Sequence, residues 1–184
     1  NNHIANFDYI IGSCHYIAFN RKIYPFDSNY GYFTHCLELF EDNALSFAEV
    51  YYKYFCLYIK ERKPDIIGHF DLLTKNNEQG KFLNPSEKAY LDMGFAAIHA
   101  LKGKIPLFEV NTGAISRGYR TSPYPQMAFL KELKTCGFGA VITSDCHDRT
   151  HIDCFYEKAE ELLLTAGFRS RWILTDNGFK EVAI

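Results

Sequence analysis

Short apolar stretches alternate along this chain with longer amphipathic ones, and nearly every short stretch ends at a residue able to do chemistry. The short stretches lie at 9–13, 66–68, 107–110, 140–143 and 171–174. They are rich in Ile and Val, as strands buried on both faces should be. Between them, residues 43–62 carry Ala44, Phe47, Ala48, Tyr51, Tyr54, Phe55, Tyr58 and Ile59 at helical spacing, and Lys63-Pro64 ends that helix. A second helix is expected from Asn84-Pro85-Ser86-Glu87 to Lys102-Gly103, with Asn84 as its cap. A third covers 125–135 and a fourth 151–166, each stopped by a glycine. Repeated strand–helix units predict an α/β fold with a parallel sheet, in a single domain over 1–184. Residues 20–42 form the longest irregular connection, the kind of loop that is usually functional or mobile.

The polar residues have a positional pattern. The first strand reaches His15, the second His69 and Asp71, the third holds Glu109 and reaches Asn111, and the fourth reaches Ser144-Asp145-Cys146-His147. In a (β/α) barrel the carboxyl ends of the strands build the active site. Asp145 and His147 are two apart, so on extended backbone their side chains face the same way. Imidazoles and a carboxylate converging there would suit Zn, Mn or Fe. Taken singly, each residue also has a plainer reading, as a hydrogen-bonded loop histidine or, for Ser144-Asp145, a turn or helix cap. Residues 111–121, with two glycines, several hydroxyls, Arg117 and Arg120, form either an anion-binding loop or a solvated basic one. His3, His35, His99 and His151 lack strand-end placement and are read as structural.

The chain has a formal charge of −2, which gives no reason to expect nucleic acid or an anionic membrane as partner. Its six cysteines form no C-x-x-C pair and read as reduced, mostly buried thiols of a cytoplasmic protein. Neither a signal peptide nor a bilayer-length apolar run is seen.

Ser13-Cys14-His15-Tyr16, Ile67-Gly68-His69-Phe70-Asp71, Glu109-Val110-Asn111-Thr112-Gly113 and Ser144-Asp145-Cys146-His147 resemble, in order, motifs of the polymerase and histidinol phosphatase (PHP) family. The stretch 111–125 and the tail around Ala166-Gly167-Phe168 look most like its histidinol-phosphatase branch. The resemblance implies a distorted (β/α)7 barrel holding up to three divalent metals. It implies that His15 and His69 bind one ion, Asp145 a second and His147 a third. It also implies hydrolysis of a small phosphate ester, L-histidinol phosphate, in histidine biosynthesis. Arg117, with Arg120, would hold the phosphate. Asp145 and His147 would be ligands that also relay protons, while Glu109 and Asn111 would lie behind the ligands or against substrate. The alternatives are another PHP phosphoesterase, or a PHP-derived interaction module without activity.

The family's remaining ligands, an N-terminal His-x-His, further histidines and a bridging Glu, have no counterpart in these residues. A barrel domain needs roughly 200–250 residues. The chain is therefore expected to be an incomplete barrel lacking its N-terminal units, with about half of a metal site and no activity by itself.

Overall fold

The computed structural model describes residues 7–78 and 81–184. His3, and with it the start of the chain, lies outside them. The chain is α/β, with a mostly parallel six-stranded sheet. Strands β1 (Ile11–Gly12), β4 (Ile66–Ile67), β5 (Leu107–Asn111), β6 (Gly139–Thr143) and β7 (Ser170–Thr175) pair in parallel in that order. β8 (Gly178–Ala183) then folds back antiparallel on β7. Strand order thus follows chain order.

The helices form one layer that keeps the same order. Helix α2 (Ala44–Arg62) packs on α3 (Lys88–Leu101), α3 on α5 (Met127–Thr135), and α5 on α6 (Tyr156–Ala166). Their shared core is aromatic. Phe129 is fully buried and meets the rings of Tyr52, Phe70, Tyr90 and Phe95. Phenol groups inside it are satisfied, Tyr52 donating to Tyr90 and Tyr51 to the Phe70 carbonyl, each at 3.0 Å. Gly94 lets α3 meet α5 closely, since a Cβ there would stand 2.3 Å from the Phe129 ring.

Alternation along the strands divides the sheet. Ile67, Phe108, Val110, Ala140 and Ile142 join the helix-side core, whereas Ile66, Leu107 and Val141 cluster with Ile11, Trp172 and Phe179 on the other face. Glu109 shares the parity of Leu107, so a carboxylate stands on that second face.

The segment 20–42 is not irregular. It completes a hairpin of β2 (Tyr16–Phe19) and β3 (Lys22–Pro25), then forms α1 (Tyr30–Glu38), capped by Asn29 accepting from the Tyr32 amide. His35 lies in α1 and not in a loop. The expected cap at Asn84 is instead a turn in which its side chain accepts from the Ser86 amide, and α3 starts only at Lys88, after an extended Glu87. Helix α5 begins at Met127, and α6 at Tyr156 after a separate 3-10 turn, Arg149–His151. The first strand shortens to two residues. Its entry is fixed by Asp65, whose carboxylate accepts from the Ile10 amide at 2.8 Å.

Among the described residues no helix is long and apolar enough to cross a membrane. The six cysteines are free thiols, but only Cys14 and Cys36 are buried and Cys146 is exposed, so burial is less general than expected.

Candidate active site

One cavity of about 840 Å³ runs along the second face of the sheet, over Ile11, Ile66, Val141 and Trp172, and reaches the carboxyl ends of the parallel strands. His15, His69, Glu109, Arg117, Asp145 and His147 all line it. They arrive from the ends of β1, β4, β5 and β6 and from the segment that follows β5.

Two pairings stand within it. On one side the His15 and His69 rings meet edge to face with centroids 4.9 Å apart. The Nδ1 atom of His15 lies 2.9 Å from the Asp27 carboxylate, and Lys75 donates to the Asp27 carbonyl at 2.6 Å. Burial works against the Asp27 charge, yet the hydrogen bond and charge of His15, with Lys75, hold its carboxyl below the ordinary value. A carboxylate that keeps its charge can only accept, so this pairing suits a tautomer with the proton on His15 Nδ1 and Nε2 left for an ion. His69 is buried, and burial pushes its pKa below the ordinary value against the opposing charge of Glu109. Its imidazole is thus kept neutral, and its Nδ1 is buried with no hydrogen-bond partner. A neutral imidazole with an unused nitrogen is what a divalent ion requires.

On the other side Arg117 organises the β6 end. Its Nη1 donates to the Asp145 carbonyl at 2.8 Å and its Nη2 to the Asp145 carboxylate at 3.0 Å. His147 Nδ1 lies 2.9 Å from Arg117 Nη1 and 2.7 Å from the Asp145 carbonyl. It accepts from the arginine when unprotonated and donates to the carbonyl when protonated. Extended backbone does not bring Asp145 and His147 together as the sequence suggested. Asp145 takes a left-handed conformation, φ +46°, and the chain turns there. Asp tolerates this region better than most residues, and such strain gathers at functional sites.

Residues 111–121 are not a free loop either. Gly113–Ser116 form a short helix, α4, pressed against β6. A Cβ on Gly113 would stand 2.5 Å from the Ser144 carbonyl and 3.0 Å from both Asp145 Cβ and Arg117 Nη2. The glycine serves backbone approach, which positions Arg117 beside Asp145.

Two expected contacts, Asn111 and Arg120, fall elsewhere, and Glu109 stands behind His69. Asn111 is fully buried, accepts from the Gly113 amide at 2.9 Å, and pairs through its main chain with Tyr124. It shapes the turn into α4 and does not line the cavity. Glu109 reaches the cavity wall, but both its oxygens are engaged, accepting from the His69 amide at 2.6 Å and the Thr143 hydroxyl at 2.5 Å. Its role is to hold the β4 and β6 ends in place. Arg120 turns away from Arg117, bonds to Thr74 and lies over the Tyr124 ring, where it lines a separate polar cavity with Asp71. It cannot share an anion with Arg117 in this arrangement.

As the side chains stand, no three of His15, His69, Asp145 and His147 bring ligand atoms within 4.8 Å of one another among the described residues. Sequence reasoning missed Asp27 and Lys75, which lie in segments without a motif, and Trp172, which faces the cavity from β7. Set against known proteins, the chain matches no family model and no curated sequence.

Proposed function

We propose that this chain forms an arc of a distorted (β/α)7 barrel and carries part of the active site of a metal-dependent phosphate monoester hydrolase of the histidinol-phosphatase kind. The observation behind this reading is the gathering of His15, His69, Asp145, His147 and Arg117 on one cavity at the carboxyl ends of consecutive parallel strands. A sheet whose strand order follows chain order, with its helices on one side, agrees with an arc of such a barrel.

His69 and His15 would hold one divalent ion, Zn, Mn or Fe, with Asp145 and His147 offering ligands for others. Such ions, when bound, supply charge to phosphoryl oxygens and lower the pKa of water. The remaining work falls to the chain itself. Asp27 fixes the tautomer of His15. Glu109 holds the His69 backbone. Arg117, anchored by Asp145, keeps further N–H donors for a phosphoryl oxygen. His147, exposed at the rim, has Nδ1 held between Arg117 and the Asp145 carbonyl, so a proton exchanged with a departing leaving group would pass at Nε2.

The substrate proposed is L-histidinol phosphate, by resemblance of the motifs. The test is steady-state release of inorganic phosphate from this ester and from other monoesters by the native protein, with Mn²⁺ or Zn²⁺ supplied. Activity confined to other esters rejects the substrate, and none on any monoester rejects the reaction. Arg117→Ala should lower kcat/KM about ten- to a hundredfold, the worth of a charge-assisted hydrogen bond. An unchanged value would remove Arg117 from phosphate binding.

A further inference from the structure

The helix layer holds a second group of metal-ligating side chains, away from the cavity. His99 stands in the last turn of α3, Glu132 on α5, and Cys136 at the carboxyl end of α5, one turn after Glu132. His99 Nε2 lies 2.5 Å from Glu132 Oε1, and Cys136 Sγ lies 3.7 Å from the same oxygen. All three ligand atoms fall within 4.8 Å of one another. Two helices brought together over Gly94 and Phe129 therefore aim an imidazole nitrogen, a carboxylate oxygen and a sulfur at one point. Without a metal the three groups form an ion pair of His99 with Glu132 and a long thiol-to-carboxylate hydrogen bond from Cys136, both made to the one oxygen.

We propose that His99, Glu132 and Cys136 form a zinc site that braces α3 to α5, with water as the fourth ligand. The donor set selects the metal. Sulfur and imidazole suit zinc, whereas magnesium and calcium need several oxygens and find one carboxylate here. The spacing also fits. Bonds of about 2.0–2.3 Å at tetrahedral angles put ligand atoms about 3.3–3.6 Å apart. The Cys136–Glu132 separation is already close to that, and the His99–Glu132 pair must open by about 1 Å, still at the tetrahedral spacing. The His99 side chain is 59% exposed and free to make that move. On binding, the thiol gives its proton to water, and His99 keeps its proton on Nδ1 and offers Nε2.

This site stands whether or not the cavity is a phosphatase centre, and its test separates the two. Cobalt(II) titrated into the whole chain should produce a thiolate-to-metal charge-transfer band. The band should vanish in Cys136→Ser, weaken at least about tenfold in apparent affinity in His99→Ala, and persist in Cys146→Ser and His69→Gln. In the unmodified chain, zinc should slow alkylation of Cys136, followed on its own peptide by mass spectrometry. This second readout needs no variant to fold. A band that survives Cys136→Ser, no band at all, or alkylation of Cys136 unaffected by zinc would overturn the site.

Discussion

Asp71 puts burial and charge in direct competition. It is fully buried beside the second cavity, and its Oδ2 accepts from the Gln126 amide at 3.0 Å while Oδ1 has no partner. Burial raises its pKa above the ordinary 3.8, and the nearby Arg120 only partly offsets this. The sign of the consequence follows from linkage. Between 3.8 and the raised value the folded chain keeps a proton that the unfolded chain has lost. The stability from this group is present below the unfolded pKa and falls as pH rises through the folded one. Asp71→Asn keeps an oxygen for the Gln126 amide and removes the titration. Its stability relative to the parent chain should therefore improve as pH rises above 3.8, as read by urea unfolding at several pH values. A difference independent of pH would mean that Arg120 compensates the charge fully. The same local physics hid the roles of neighbouring residues from sequence. Glu109 and Asn111 were expected behind the ligands or against substrate, and only the hydrogen bonds they make show that they hold backbone.

Elements were legible where hydrophobic period and caps agreed. The Asn43 cap of α2 and the Gly167 stop of α6 lie where their residue types place them. The β2–β3 hairpin was not visible, because its turn uses Asn20 and Arg21, both at positive φ, without the glycine that usually marks such a turn. Helix α1 opens on Tyr30, Tyr32 and Phe33, weak helix formers with no acidic residue in the first turn, so packing rather than propensity sets it. β8 carried a signal in Asn177-Gly178, but its polar Lys180 and Glu181 obscured the strand. At α4 the decisive quantity is a distance that no sequence pattern encodes. Gly113→Ala places a methyl 2.5 Å from the Ser144 carbonyl, and backbone must yield. A loss of about 1–3 kcal/mol in unfolding free energy is expected, together with displacement of Arg117. A loss below about 0.5 kcal/mol, the range of an ordinary surface substitution, would show slack between α4 and β6.

At the scale of the whole molecule, the sequence of the five parallel strands and of helices α2, α3, α5 and α6 was foreseen from alternation alone, because strand–helix units can pack in few ways. The gathering of four strand ends on one cavity was foreseen for the same reason. What alternation could not supply is how side chains share that cavity. Arg117 and Arg120, three residues apart, line different hollows, and Asp27 reaches His15 from the connection that follows the unanticipated hairpin. The sheet contributes one more property through Trp172, the chain's single tryptophan, which lines the cavity from β7 across from Val141. Indole emission from this protein thus originates at one wall of the proposed reaction chamber. Paramagnetic Mn²⁺ entering there should quench it in a saturable titration, and His69→Gln should blunt that quenching. The fold has in effect installed its own optical probe, and a lamp that stays bright through the titration would mean that the ion never reaches the chamber.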